Sequence, residues 1–300
     1  MFTLFTCNLS LQGTCDEAIS STLDCRALLR SARNDNVRFL LILCYNIHLG
    51  VICIYTGFAY HYDRLMKDVD YGKWADYIVG LFRRYNCNPS LVLDLCCGTG
   101  SFCIEMASRG YEMVGIDISS DMLSCAKSKT LERGLDILYL NQDVAGFELY
   151  GTVDAVVCLM DSINYITRKD DLKKVFGLVN NYLNPGGLFI FDINTPYKFE
   201  KVLGGNVYYS IEDDIAYIWQ NKYDRPRRIC RFDLTFFIQK GDSYKRFDEV
   251  HYERAFTLDE LRKSITGAGM ESAAVLGEFG YGFPGKSCER IFFVCRKYNI

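Results

Sequence analysis

Three acids are spaced so that each would close a buried strand. Asp94 ends the apolar run of "LVLDLCCGTG" (91–100), Asp117 ends "YEMVGID", and Asp143 follows "DILYLNQ". Carboxylates at strand ends accept hydrogen bonds from ammonium, hydroxyl and amino groups. Gly98 and Gly100, directly after the first acid, let the backbone approach whatever lies above it. Any one of these acids is ordinarily a helix cap or a surface residue; three at successive strand ends point to a ligand. The loop is not a good dinucleotide loop. G-x-G-x-x-G or G-x-G-x-x-A needs a small third residue for close helix–strand packing, and Cys103 stands there.

The elements that must position these residues are legible as alternating runs. "DVDYGKWADYIVGLFRRYN" places Trp74, Ile78, Leu81 and Phe82 on one helical face, with Asp70 as N-cap. "SFCIEMASRG" is a helix ending at Gly110, "YEMVGIDIS" a second strand, and "DMLSCAKSKTLERG" a helix capped by Ser119 or Ser120. "DILYLNQDV" and "VDAVVCLMDS" are the third and fourth strands. "DLKKVFGLVNNYL" is a helix stopped by the turn "NPGG", and "LFIFDIN" is the fifth strand. Continuous apolar strands alternating with helices predict a parallel sheet covered on both faces, with ligands outside the carboxyl ends of its strands.

Beyond Thr195 the pattern changes. "NVYYSIEDDIAYIWQNKY", "RRICRFDLTFFIQK" and "YKRFDEVHYERAF" read as three long strands joined at "DRP" and "KGDS", an antiparallel insert over 206–256. Its aromatics (Tyr208, Tyr217, Trp219, Tyr223, Phe232, Phe236, Tyr252) mostly pack on the main sheet, and some wall a substrate cavity. His251 lies between Glu249 and Glu253 at strand spacing. A solvated outer face is the leading reading of that trio, with a substrate contact and a metal cluster as alternatives. "TLDELRKSITGAG" is a helix with a Thr257–Glu260 capping box, and "MESAAVLGEF" and "RIFFVCRK" are the last strands.

Taken together, "VLDLCCGTG", Asp117, Asp143 and "LNPGG" resemble class I S-adenosylmethionine-dependent methyltransferases over about residues 55–297. The start "YTGFAYHYDRLM" and the insert resemble the glycine and amino-sugar N-methyltransferase branch. The resemblance implies a Rossmann-like, mostly parallel seven-stranded sheet with helices on both faces, plus the antiparallel β insert as a substrate lid. It implies S-adenosyl-L-methionine as cofactor. Gly98 and Gly100 then approach its methionine portion, Asp94 faces its ammonium, and Asp117 takes the ribose hydroxyls. Ile118 packs on the adenine, Asp143 accepts from the adenine amino group, the Val144 amide donates to the ring, and Leu159 lies below the methyl group. Tyr62 closes over the cofactor. "DSINY" after the fourth strand offers Asp161 and Tyr165 as catalytic residues, with Asp192 and His251 as further base candidates. Where the family often has Gly, this chain has Cys96; a negative φ there would make its Cβ tolerable.

A net charge of -3 and a pI near 5.7 argue against broad nucleic-acid binding. "DSINY" also lacks the N-P-P-Y signature of base methylation. The expected partner is a small-molecule methyl acceptor, with an amine favoured. The alternatives are a non-catalytic S-adenosylmethionine-binding protein and, further off, an NAD-dependent oxidoreductase. Fourteen scattered cysteines without a C-x-x-C pair read as free thiols in a reducing, cytoplasmic setting, with no metal site. Residues 1–54 read as an N-terminal extension to a 55–300 domain. Its apolar stretch 39–59 leaves three readings open: membrane anchor, extra structured segment, or upstream extension.

Overall fold

A computed structural model describes residues 59–298 apart from Asp213. The 1–54 extension and the 39–59 stretch, Ala59 excepted, lie outside the described residues. The chain runs α1 (Ala59–Leu65), α2 (Tyr71–Arg84), β1 (Leu91–Leu95), α3 (Ser101–Ala107), β2 (Glu112–Asp117), α4 (Ser120–Glu132), β3 (Leu138–Asn141) and β4 (Val153–Cys158). A 3₁₀ turn (Ser162–Tyr165), α5 (Lys169–Tyr182) and β5 (Leu183–Asn194) follow. After a π-helical turn (Lys198–Leu203) come β6 (Val207–Ile211), β7 (Ile215–Asp224), β8 (Ile229–Lys240) and β9 (Ser243–Arg254). α6 (Leu258–Gly267), β10 (Met270–Gly277) and β11 (Arg290–Lys297) complete it.

Seven strands form one sheet in the order β10-β11-β5-β4-β1-β2-β3, parallel except where β11 pairs with β5 and β10. Strand alternation divides its two cores. Leu93, Leu95, Phe189 and Phe191 turn toward Val175 and Phe176 of α5 and Leu261 of α6. Val92, Val157, Leu188 and Ile190 turn toward Ile78, Leu81 and Phe82 of α2 and Phe102 of α3. Helices thus cover both faces, and the strands are apolar on both sides, as expected. The local stops also hold. Asp70 accepts from the Lys73 amide, Ser119 from the Met122 amide, and Thr257 and Glu260 form a reciprocal capping box.

Two boundaries differ from expectation. "NPGG" is not a turn between elements: α5 ends at Tyr182 and β5 begins at Leu183, with the register slipping where Val153 pairs with Leu183 but Ala155 pairs with Leu188. The four residues form the bulged entry of the strand, since Val153 still finds a partner across them. In the insert, the first of the three long strands is two. Between β6 and β7 the Glu212 amide donates to Ile215 O (2.8 Å), giving a four-stranded sheet β6-β7-β8-β9. Among the described residues no helix is long and apolar enough to cross a membrane.

Candidate active site

A cavity of about 660 Å³ opens at the carboxyl ends of β1, β2 and β4. It is lined below by Asp94, Gly98, Asp117 and Leu159, at one end by Ile118, Asp143 and Val144, and by Tyr62 of α1. Asp161 and Tyr165 reach it from the loop after β4, and Trp219, Phe232, His251 and Glu253 from the antiparallel sheet. Of the residues assigned from the sequence to the cofactor, Gly100 alone does not line it.

The glycine loop is built by backbone constraints. Gly98 and Gly100 have φ of +54° and +72°, a region that glycine enters without a Cβ penalty. Around a Gly98 Cβ nothing would lie within 4 Å, so that side is open. A Gly100 Cβ would sit 2.4 Å from Tyr139 Oη and 2.9 Å from Ala126 Cβ. Gly100 therefore serves the packing of the loop onto α4 and β3, behind the cavity. Cys96 overturns the condition set for it: its φ is +60°, so it is a non-glycine residue in the left-handed region. That conformation costs on the order of 1–2 kcal/mol, which the packed loop supports.

Asp117 is buried and holds the loop directly. Its Oδ2 accepts from the Gly98 amide (2.8 Å) and its Oδ1 from the Ser119 amide (2.9 Å). A carboxylate has about four lone-pair sites, so acceptor capacity remains for the cavity. Burial raises its pKa, against the pull of these amides. Asp94 is 3% exposed, and its Oδ2 accepts from the Cys103 thiol (3.2 Å). Burial, together with the charge of Asp117, pushes its carboxyl up to about 7. Asp143 is exposed and spends Oδ1 on its own turn, at the Ala145 amide (2.9 Å).

α1 is fastened to this loop by residues that the sequence did not flag. Asp63 accepts from Thr99 Oγ1 (2.6 Å) and pairs with Lys129 of α4 (2.6 Å), which also donates to Ser101 Oγ (2.7 Å). A single acid beside Tyr62 carries no signal of that partnership.

Past β4, Met160 and Asp161 take consecutive left-handed conformations, φ +56° and +54°. Asp192 holds them: its Oδ1 accepts from the Met160 amide (2.7 Å) and its Oδ2 from the Asp161 amide (2.9 Å). Arg290 bridges Asp192 and Asp161, at 2.6 Å to the latter, and lies 5.5 Å over Trp74. Burial lifts Asp192 to about 6, with Arg290 opposing. Burial alone would lower Arg290, but its two carboxylates raise it overall. Asp192, fully buried and not lining the cavity, is a scaffold and is corrected as a base candidate. Asp161 faces the cavity with its carboxylate engaged by Arg290. Tyr165 lies edge-on to the His251 ring (5.8 Å).

The outer-face reading of Glu249, His251 and Glu253 is overturned: they are 9%, 4% and 2% exposed. Opposite them across β8 stand Leu234, Phe232 and Cys230, and beyond Leu234 stands Trp219 of β7. The inner face is thus apolar with an acidic and imidazole edge, while Ile218, Val250 and Tyr252 face outward. Strand alternation reveals that the trio shares a face but not which face turns inward. Among the described residues there is no group of three or more His, Cys, Asp or Glu able to hold a metal. All nine described cysteines are free.

A seven-stranded sheet with one antiparallel edge, a glycine loop after its first strand and acids at successive strand ends define a nucleoside-binding α/β transferase. The comparisons make this specific: the chain belongs to the S-adenosylmethionine-dependent methyltransferase family, and S-adenosylmethionine is its cofactor. The Methyltransferase domain pattern matches residues 92–187. The methyltransferase-family protein YqeM of Bacillus subtilis (strain 168) is 35% identical over 247 residues, 81% of this chain and 97% of that one. The solved S-adenosylmethionine-dependent methyltransferase from Clostridium acetobutylicum ATCC 824 superposes with a TM-score of 0.74 at 35% identity, covering 81% of this chain and 99% of that one. More distantly, the dTDP-3-amino-3,4,6-trideoxy-alpha-D-glucopyranose N,N-dimethyltransferase of Streptomyces venezuelae is 25% identical over 69% of this chain and 86% of its own. Membership of the family closes the oxidoreductase alternative.

Proposed function

We propose that this methyltransferase acts on a small-molecule acceptor, an amine, bound between the carboxyl edge of the main sheet and the inner face of the antiparallel sheet. One observation carries the reading: a single cavity has two differently built ends. Strand-end acids and the open Gly98 backbone form one end; aromatic walls with a buried carboxylate and imidazole form the other. Its volume of about 660 Å³ falls in the range of small-ligand sites, roughly 300–1,000 Å³.

The residues present fit the cofactor. Asp117 retains acceptor capacity for ribose hydroxyls, and Asp94, a buried acid with a thiol partner, gains from an arriving ammonium. Ile118 and Val144 offer apolar surface and an amide to the adenine, Asp143 accepts from its amino group, and Leu159 forms the floor near the methyl group. Tyr62 covers the site from α1. Gly98 admits the methionine portion closely, and Gly100 keeps the loop in place. Once bound, S-adenosylmethionine supplies an activated methyl group. The protein's part is to align the acceptor and exclude water, with Asp161, held by Arg290, and Tyr165 at the acceptor side. The sugar-amine activity named for the Streptomyces venezuelae relative supports an amine. The confined cavity and the charge of -3 support a small acceptor over nucleic acid or a membrane surface.

The test is S-adenosylhomocysteine release from the full chain with a panel of small primary amines, matched alcohols and carboxylates, and structured RNA. Turnover with amines is expected. Salt-sensitive turnover of RNA alone would overturn the reading.

A further inference from the structure

The acceptor side of the cavity is lined by an imidazole, His251, backed by a carboxylate, and the roles above leave the pair unused. His251 Nε2 lies 3.0 Å from Glu249 Oε2, with both side chains buried. A carboxylate accepting from Nε2–H selects the tautomer in which Nδ1 carries the basic lone pair. This is how an imidazole is prepared to take a proton: the acid orients the ring and stabilises its cation once formed. Burying such a pair is seldom a gain for folding, since apolar residues of the same volume do as well or better. His251 lines the cavity, with Phe232 opposite and Tyr165 edge-on, and Glu249 stands behind it; such a placement needs a chemical reason.

The competing bases are committed elsewhere. Asp161 is held by Arg290, and Asp192 is out of the cavity with its oxygens on two amides and Arg290. Glu253 is 2% exposed and meets Asn194 Nδ2 at 3.4 Å. Burial and the Asp161 charge hold it far above the usual carboxylate range, against Lys198 and Arg290. Burial thus disfavours its charged form.

We propose that His251 is the catalytic base that deprotonates the acceptor ammonium, with Glu249 as its positioning residue. The inference rests on the amine reading. The step is a proton transfer: one N–H bond of the ammonium breaks, its electron pair stays on nitrogen as the attacking lone pair, and the proton goes to His251 Nδ1. The resulting imidazolium lies against Glu249 and near Glu253 and Tyr165. It returns its proton to solvent after turnover.

Three histidines in the chain make the test direct. Imidazole NMR of the full chain saturated with S-adenosylhomocysteine, assigned with H251N, is expected to show the Nε2–H tautomer at His251 and a loss of that preference in E249Q. With a turned-over amine from the panel, H251N should lower kcat by about a hundredfold or more. Cofactor affinity and amine KM should stay within threefold, and the acidic limb of the kcat/KM profile should vanish. E249Q should lose roughly tenfold and move that limb, and added imidazole should partly restore H251G. An Nδ1–H tautomer in the wild type overturns the proposal, as does an H251N that keeps rate and limb. If no amine turns over while cofactor still binds, the amine reading fails; the NMR experiment, which needs no acceptor, then decides for or against the prepared imidazole.

Discussion

Asp94 and Asp117 are both buried at strand ends, yet they predict different behaviour. Asp117 joins two loop amides to the proposed ribose contacts, each charged hydrogen bond being worth about 1.5–3 kcal/mol. D117A should weaken S-adenosylhomocysteine binding by about a hundredfold or more in calorimetry, and D117N by less, because one acceptor oxygen survives. Asp94 carries a pH signature. Its folded-state pKa is raised from the usual carboxylate value to about 7, so the folded protein binds its proton more tightly than the unfolded chain. That contribution to apo stability is complete below the ordinary pKa near 4 and is lost as pH climbs through about 7. D94N should flatten this dependence and add on the order of 2–4 kcal/mol to apo stability at pH 8. Below pH 7, cofactor binding to the wild type should release a proton, seen as a buffer-dependent heat; D94N should release none.

Among elements, the glycine loop and the antiparallel sheet divide the work. G100A would force a Cβ into Tyr139 and Ala126 at a positive φ. Strain and overpacking each cost about 1–3 kcal/mol, so urea unfolding should show a loss of roughly 2–5 kcal/mol. The antiparallel sheet lines the proposed acceptor end, whereas the proposed cofactor contacts lie on β1, β2, β4 and the loops after them. Replacing Asn206–Phe256 with a short linker should leave S-adenosylhomocysteine affinity within about tenfold and abolish transfer. Loss of affinity in a variant that still melts cooperatively would mean that this sheet also builds the cofactor site. Helices and strands were legible here wherever caps and apolar periods agree, as at Asp70 or Thr257. The break between β6 and β7 was missed because the residues on either side share one strand-like pattern and it is made only by pairing the two strands.

At the scale of the whole molecule, relatives matched over 97–99% of their own length occupy 81% of this chain. We propose a working domain spanning 55–300. A chain beginning at Ile54 should melt cooperatively and bind S-adenosylhomocysteine as the full chain does; aggregation of the shorter form alone would make the 1–54 extension part of the folded unit.

What the sequence by itself determined is the class of site. Chain order forces a parallel sheet when apolar strands alternate with helices, and in such a sheet every strand-end acid arrives at the same edge. Asp94, Asp117 and Asp143 could therefore be brought together on paper. The tertiary structure alone decided which charges are spent and which are available. Arg290 lies 129 residues from Asp161 yet engages it, and Asp192 turns out to be the clamp on the Asp161 loop. Glu249, His251 and Glu253 face inward because β9 pairs with β8 in a register that sets them beside Phe232 and Cys230. Alternation in a strand tells which residues share a face; only packing against a second layer tells which face is dry.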